Sequence, residues 1–331
     1  MRVTTAYTFN ASVDTLQRRQ QDLVERQLQL TSGKRVQRAS DDPTSAARAE
    51  RALAAISRTE AEQRAIEASR NAMTLTESAL GDAGELLQQA REAMVAAGNA
   101  SYSDAERAGL AEKLKNLRAQ LFAVANRSDG AGGFLFAGQG AAQAPFIDAP
   151  GGVVYRGTGG GVDTASAEPL PLTVDGRNAW MNAWSGNGSF VTVNVDSKTS
   201  YIDAGQVTDP WQLTGDTYRI EFGPGGTTYD IKRGDPPVTV ASARPFSAGR
   251  AIEIEGMAFT ISGAPAAGDT FELRPSQPEL GVFGVLDDAI AELTTPLRTN
   301  AQVAQTVART LRDLDASMGA LQGLRAAVGE V

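Results

Sequence analysis

Helix-type periodicity near both ends of the chain, separated by a β-patterned middle, is the feature that most constrains the fold. From Val13 to Leu30, apolar and glutamine residues recur at alternating intervals of three and four, which is the a/d spacing of a coiled coil. The same spacing returns near the other end in a stripe made of Ala304, Val307, Leu311, Leu314, Met318, Leu321, Arg325 and Val328. This arrangement predicts one helical module interrupted by an insertion.

The N-terminal seam is weak by itself. Its members are Val13, Leu16, Gln20, Leu23, Gln27 and Leu30, so glutamine occupies two positions that are normally apolar. A helix of this length is marginal in water without tertiary support. We therefore expect residues 1–32 to form a terminal helix that gains order when a partner covers its seam.

A second, longer helix is predicted to begin at Asp42 and Pro43. Asp42 is a natural N-cap, and Pro43 suits the first turn because an N–H there would have no intrahelical partner. Residues 33–42 then form a linker. Along the helix, one face stays apolar over about four heptads. Its members are Ile66, Met73, Leu80, Leu87 and Met94. Gly98 and Asn99 end the helix.

Further helices are predicted on both sides of the middle region. The sequence "SDAE" (103–106) is a capping box, and the seam that follows consists of Leu110, Leu114, Leu117, Leu121 and Val124. The sequence "VFGVLDDAIAEL" (282–293) is a short amphipathic segment that breaks near Pro296. The helix with the C-terminal stripe follows it.

The middle region has the pattern of antiparallel strands. Short alternating runs are separated by turn sequences rich in glycine and proline. The runs are "SFVTVNV" (189–195), "DTYRIEF" (216–222), "TTYDIKR" (227–233), "PVTVAS" (237–242), "AIEIEGMAFTIS" (251–262) and "DTFELRP" (269–275). The fifth run predicts a hairpin that turns at Glu255 and Gly256.

The predicted fold class is α+β, with a long antiparallel helical rod built from both chain ends and an inserted antiparallel β-domain. We expect a terminal helix over 1–32, a linker over 33–42, a rod domain formed by 43–144 with 278–331, and the β-domain over 145–277. The β-domain should project from the far end of the rod.

The amino-acid composition argues against several classes of function. The 331 residues carry a net charge of −8 and include neither cysteine nor histidine. The acidic balance argues against a nucleic-acid partner. The missing residue types exclude disulfides, Cys/His metal sites and Ser-His or Cys-His nucleophiles. No cofactor site and no cleavable signal peptide are visible, and no apolar run is long enough for membrane insertion.

Two functions other than assembly stay open at this point. An enzyme would have to rest on carboxylates alone, such as Asp230, Asp235, Glu253 and Glu255, and no base adjoins a nucleophile, so we expect none. A β-domain that binds glycans could use Trp180, Trp184 or Trp211 as stacking platforms, although tryptophans are more often core residues. The surplus of heptad surface favours self-association or association with a partner.

Several segments resemble the flagellin family. "LTSGKRVQRASDDPTSAA" (30–47) is similar to the junction between the outermost helix and the rod helix of that family, and "SRNAMTLTESALGDAGELLQQAREAMVAAGNA" (69–100) is similar to the rod helix. "FLFAG" (134–138) and "LRAAVG" (324–329) resemble the hook-associated branch, as does Pro43. "PFSAGRAIEIEGMAFTISGAPAAGDTFEL" (245–273) resembles β-units of flagellar axial proteins.

The resemblance implies a structural adaptor of the bacterial flagellum that joins hook to filament, with filament flagellin as the alternative within the family. Its partners would be other copies of itself, a hook-side junction protein, flagellin and an export chaperone. It would act outside the cell, after export without a cleavable signal. Leu16, Leu23 and Leu30 would lie in an inner layer, and the segment 53–94 in the rod layer. Members of the family continue beyond the segment that matches "LRAAVG", so we expect a chain truncated after Val331.

Overall fold

The chain consists of two compact units, Met1–Ala65 and Ile66–Val331. This computed structural model describes residues 5–330 except 37, 39, 41, 140–142 and 165–167. Part of the predicted linker 33–42, and the Asp41 of the predicted helix start, therefore lie outside the described residues.

The first unit is helical. Helix α1 spans Thr5–Ser32, and helix α2 (Pro43–Ala97) begins in this unit and ends in the second. Asp42 caps α2 as the sequence predicts, because its carboxylate accepts the Ser45 N–H at 3.0 Å. Most side chains of both segments are exposed, so this unit holds little apolar core.

Helices α3 (Asp104–Ala125), α4 (Arg177–Met181), α5 (Val282–Thr294) and α6 (Asn300–Gly329) belong to the second unit with the rest of α2. The predicted capping box at Ser103 and Glu106 is confirmed. A second capping box, at Thr299 and Gln302, starts α6. Within the described residues, α2 ends at Ala97, immediately before Gly98, as predicted.

One hydrophobic cluster joins helices from both parts of the chain, which confirms the predicted fold class. Every seventh residue of α2 contributes to it from Met73 onward, and α3 and α6 contribute their own seams. Its buried members include Met73, Leu80, Leu87, Met94, Leu114, Leu117, Leu121, Phe283, Leu286, Leu314, Leu321 and Val328. We call these helices with α5 the rod.

The rod core extends beyond the boundary expected at residue 145. Strands β1 (Phe146–Ala149) and β2 (Gly152–Tyr155) form a hairpin, and both Phe146 and the α4 residue Trp180 are buried in the rod cluster. The ring of Trp180 stacks on Phe283 with centroids 6.0 Å apart. These aromatic side chains fill space between helices, so residues 146–181 pack with the rod although their composition resembles that of the β-domain.

The β-domain follows, joined to the rod by a two-stranded pair of β3 (Ala183–Trp184) and β13 (Pro278–Leu280). Its remaining strands are β4 (Phe190–Asn194), β5 (Ser200–Ile202), β6 (Gln206–Val207), β7 (Tyr218–Phe222), β8 (Thr228–Arg233), β9 (Val238–Pro245), β10 (Ala251–Ile254), β11 (Met257–Gly263) and β12 (Thr270–Pro275). Each of the six predicted runs overlaps one or two of these strands, although β9 and β11 extend past the ends of their runs. The hairpin turn at Glu255 and Gly256 is confirmed by positive φ angles at both residues.

All pairings in this domain are antiparallel. One sheet has the order β4-β12-β7-β8-β9, and the other has β10-β11-β5, with β6 also paired to β11. Apolar side chains of both sheets meet in a second hydrophobic cluster, separate from that of the rod, which includes Tyr218, Ile220, Phe259, Ile261 and Phe271. The β-domain thus has its own core.

The β-domain contacts the first half of α6, and its expected projection from the far end of the rod stays a prediction. Strand β5 lies beside α6, where the Gln305 side chain accepts the N–H of Ile202, and Arg312 of the same helix donates to the carbonyl of Thr192 in β4. Both long polar side chains reach backbone groups of the β-domain, so part of that domain lies along α6.

Candidate assembly surfaces

The seam of α1 is a row of exposed leucines. Leu16, Leu23 and Leu30 are 66%, 57% and 86% exposed, and we call these three residues the terminal stripe. The early part of α2 carries Leu53, Ile56 and Ile66, which are each more than half exposed. Apolar side chains repeated along one helix face in this way are typical of an interaction site.

A groove of about 810 Å³ adjoins α1. Its lining combines Val24 and Leu28 with amide side chains, including Gln17, Gln20 and Gln21. The heptad spacing places Gln20 in the seam of α1 but does not include Val24 and Leu28. Their spacing of four residues on the same helix was the available signal.

The start of α2 is held by polar contacts. Arg35 donates to Asp42 at 3.3 Å and to the Ser45 hydroxyl at 2.7 Å. Hydrogen bonds from the hydroxyl and the N–H of Ser45 hold the pKa of Asp42 well below its ordinary value. The carboxylate therefore stays charged at the helix N-terminus, where the helix dipole favours a negative charge.

The predicted packing residues of the second unit divide by burial. Met73, Leu80, Leu87, Leu314 and Leu321 are buried, while Leu311 and Met318 are half-buried against the same cluster. Ile66, which opens the heptad series, is exposed. The buried members hold the rod together, and Ile66 resembles the terminal stripe in its exposure.

Ion pairs fix α2 and α6 in an antiparallel arrangement. Arg91 contacts Asp315 at 2.9 Å, and Arg325 contacts Glu77 at 3.1 Å. The second pair explains why one charged residue interrupts the C-terminal apolar stripe: Arg325 reaches across the surface to the partner helix. Both pairs are exposed, so they set register more than stability.

A wider groove of about 930 Å³ runs between α6 and the segment that contains α4 and β3. Leu311, Ala316, Ala320 and Leu324 line one wall, and the half-exposed Trp184 lines the other. Trp184 and Trp180 were both candidate stacking platforms, but they differ in burial, because Trp180 is enclosed in the rod core. The two rings therefore cannot form one stacking platform.

Neither metal chemistry nor membrane insertion finds support in the described part of the chain. No group of three or more described Asp or Glu side chains is placed to hold a metal ion. Among the described helices, none combines the length and apolar character needed to cross a bilayer.

Known proteins provide an independent comparison. The family described as the bacterial flagellin N-terminal helical region matches residues 3–141. The chain is 35% identical over 165 residues to the flagellar hook-associated protein 3 of Salmonella typhimurium, which covers 47% of this chain and 49% of the relative. It is 30% identical over 205 residues to the protein of the same name from Escherichia coli, which covers 60% and 59%. The chain thus spans about half to six tenths of the length of these relatives.

Solved structures of flagellar proteins also match this chain. A crystal structure of Xanthomonas campestris FlgL matches with a TM-score of 0.77 and 28% identity, covering 84% of this chain and 92% of that one. The flagellar junction protein FlgL from Legionella pneumophila matches with a TM-score of 0.77 and 25% identity, covering 86% and 97%. These matches include the β-domain as well as the rod.

In sequence and fold the chain is similar to flagellin-like proteins, with a helical rod made from both parts of the sequence and a β-domain inserted between them. Within that class the similarity is to the hook-associated protein 3 type, the type to which both curated relatives belong. Relatives of this type are structural proteins of the flagellum, which argues against an enzymatic function.

Proposed function

We propose that this chain is a non-enzymatic structural adaptor that joins the hook to the filament of the bacterial flagellum. The relatives of the hook-associated protein 3 type support this role, and they favour neither filament flagellin nor a glycan-binding adhesin. The protein would act outside the cell. Its partners would be other copies of itself, a hook-side junction protein and flagellin, with an export chaperone acting before assembly.

The observation that carries the proposal is the exposure of Leu16, Leu23 and Leu30 along one face of α1. In the assembled flagellum we expect this terminal stripe, with Ile66 and its neighbours on α2, to be covered by adjoining subunits. Covering one leucine side chain contributes about 1.5–3 kcal/mol. When the same contact repeats along a helical lattice, the stabilisation from many such contacts adds up and yields a strong tube.

Separate roles are proposed for the segments. Residues 1–32 would form the inner helix and 33–42 a spoke to the rod, with Asp42 and Pro43 starting the rod helix. Burial of Phe146 and Trp180 in the rod core favours a rod that includes residues 43–184 and 278–331. The β-domain would then begin after Trp184. Met73, Leu80, Leu87, Leu311, Leu314, Met318 and Leu321 would hold the rod together.

Complementation of a deletion strain tests the role. The unaltered gene should restore motility, and the deletion alone should leave hooks without filaments and release flagellin into the medium. Leu16→Asp combined with Leu23→Asp should behave like the deletion, because both changes place charge in the proposed contact. Ala11→Asp combined with Thr15→Asp adds the same charge to α1 at exposed positions outside the terminal stripe and the groove, and should restore filaments.

Two results would contradict the proposal. Filaments of normal number and length in the deletion strain would exclude the junction role. Normal filaments with the leucine variant, at equal amounts of exported protein, would exclude the terminal stripe as an assembly contact and leave the junction role intact.

A further inference from the structure

The covalent connection between the rod and the β-domain is narrow. The chain enters the β-domain just after Trp184 and leaves it before β13, so two neighbouring segments form the whole link. Ser185 donates its N–H to the Gln277 carbonyl at 2.9 Å, and Gln277 donates its N–H to the Ser185 hydroxyl at 3.0 Å. A two-stranded link of this kind would by itself permit the β-domain to rock.

Gln305 of α6 supplies a second connection. Its side-chain oxygen accepts the N–H of Ile202 at 2.9 Å, and its amide nitrogen donates to the Ile202 carbonyl at 3.4 Å. Ile202 ends β5, whose other side pairs with β11. The carboxamide thus takes the place of a neighbouring strand at the edge of the sheet, where backbone groups would otherwise lack a protein partner.

Arg312 makes a third connection, two turns further along α6. Its guanidinium donates to the carbonyl of Thr192 in β4 at 3.2 Å and to the Thr192 hydroxyl at 3.3 Å. The Arg312 side chain is only 9% exposed and pairs with Asp313 at 2.8 Å. A buried charge is costly unless its partners are well placed, so this contact favours one orientation of the β-domain over others.

Thr299, at the start of α6, makes a fourth connection between the rod and the β-domain. Its hydroxyl donates to the carbonyl of Lys198 at 2.5 Å. From Thr299 to Arg312 the helix rises by about 20 Å. Contacts distributed over that length resist rocking about the two-stranded link much more strongly than a single contact would.

We propose that Gln305 and Arg312 are positioning residues that fix the β-domain against α6, so that rod and β-domain turn as one rigid body. This role is independent of the junction function, because it concerns the orientation of the β-domain within a single chain. A subunit built in this way transmits the orientation of its rod to the surface of the β-domain without a flexible joint.

Amide hydrogen exchange tests the Gln305 contact. Gln305→Ala should accelerate exchange of the Ile202 amide about tenfold, as the loss of one hydrogen bond implies. Gln305→Glu keeps an acceptor for that amide and should restore most of the protection. Gln322→Ala, an exposed position of the same helix, is the matched control and should change nothing at Ile202. Unchanged exchange in Gln305→Ala would exclude the contact in solution.

Distances between spin labels test the orientation itself. Because the chain has no cysteine, Lys113→Cys on α3 and Ser242→Cys on β9 provide unique labels at two exposed positions. Pulsed electron resonance should give a narrow distance distribution for this pair. Adding Gln305→Ala and Arg312→Met should broaden the distribution, whereas adding Gln322→Ala and Arg70→Met, at exposed positions of the rod helices, should leave it narrow.

Folding controls keep the test decisive. Exchange at the Ile220 amide, in the centre of the β-domain core, should stay slow in every variant, because that core does not depend on α6. A broad distribution before any substitution in α6, or a narrow one that persists when both Gln305 and Arg312 are replaced, would overturn the proposal. If Arg312→Met unfolds the rod, Gln305→Ala alone must still broaden the distribution.

Discussion

Replacing Leu314 by alanine would open a cavity at the centre of the contact between α6 and the rest of the rod. The Leu314 side chain is fully buried in the rod cluster. Buried leucine-to-alanine changes of this kind lower the free energy of unfolding by about 3 kcal/mol. With a urea dependence of about 2 kcal/mol/M, the unfolding midpoint of the rod should fall by about 1.5 M.

Fluorescence of Trp180 can follow the rod alone. Trp184→Phe and Trp211→Phe leave Trp180 as the one tryptophan of the chain, and Trp180 stacks on Phe283 in the rod core. Hydrogen exchange at the Ile220 amide follows the β-domain in the same samples. Leu30→Ala is the control, because Leu30 is highly exposed and its loss should move the midpoint by less than about 0.3 M.

The reasoning would be refuted by either of two outcomes. If Leu314→Ala moved the rod midpoint no more than Leu30→Ala, then Leu314 would not be enclosed as the structure has it. If the Ile220 amide lost its protection at the same urea concentration as the rod and with the same shift, the two hydrophobic clusters would not be independent cores.

Three further changes test the local arguments. Gly138→Ala should lower the free energy of unfolding by about 3 kcal/mol, because Gly138 has φ +70° and a Cβ there would lie 1.8 Å from the Thr158 carbonyl oxygen. Gly130 has φ +80° but lies in open space, so Gly130→Ala should lower the free energy of unfolding by only about 1 kcal/mol in the same urea titration. Ser103→Ala removes half of the capping box and should lower the free energy of unfolding of the rod by about 1 kcal/mol, measured by Trp180 fluorescence. Glu292 tests the effect of pH. Burial of its carboxylate raises the pKa, but the Thr306 hydrogen bond and the neighbouring arginines outweigh burial and lower the pKa from 4.5. The ionised carboxylate therefore stabilises the folded state fully above pH 4.5, and this stabilisation is lost as the pH falls below that value. The difference in Tm between the unaltered protein and Glu292→Gln should therefore shrink as the pH falls from about 6 to about 3, and a difference that grew would contradict the assignment.

The helices and most large strands could be predicted because their patterns are local. The heptad spacing of α2 predicts one apolar face, and from Met73 onward that face is the buried one. The alternating run 216–222 predicts a strand, and β7 lies within it. Capping needs only a few neighbouring residues, so the start of α3 at Ser103 was also predictable. These features require no knowledge of distant contacts.

A second buried stripe on α6 escaped prediction because four of its five members are polar. Val303, Thr306, Thr310, Asp313 and Ser317 follow the same alternation of three and four residues as the apolar stripe beside them, and all five are buried. Thr306 bonds the carboxylate of Glu292, the Ser317 hydroxyl donates to the Asp313 carbonyl, and the Asp313 carboxylate pairs with Arg312. Small polar residues at helical spacing were the available signal.

The place of Trp180 and the docking of the β-domain depend on contacts between distant parts of the sequence. Phe146 and Trp180 sit among glycine-rich segments whose composition indicates a β-domain, yet they fill the rod core. Gln305 lies more than a hundred residues from its partner Ile202. Local periodicity carries no information about such pairs, so the terminal stripe could be predicted and the docking could not.

Protection of the terminal stripe on assembly is the most direct test of the assembly account. Leu30→Cys introduces a single thiol at the most exposed leucine of that stripe, and Ser242→Cys introduces one on the β-domain as a reference. The account predicts that maleimide labels the thiol at residue 30 at least tenfold more slowly in isolated flagella than in the soluble protein, relative to the thiol at residue 242. Equal labelling of residue 30 in both states would show that no neighbouring subunit covers the stripe, and would contradict the account.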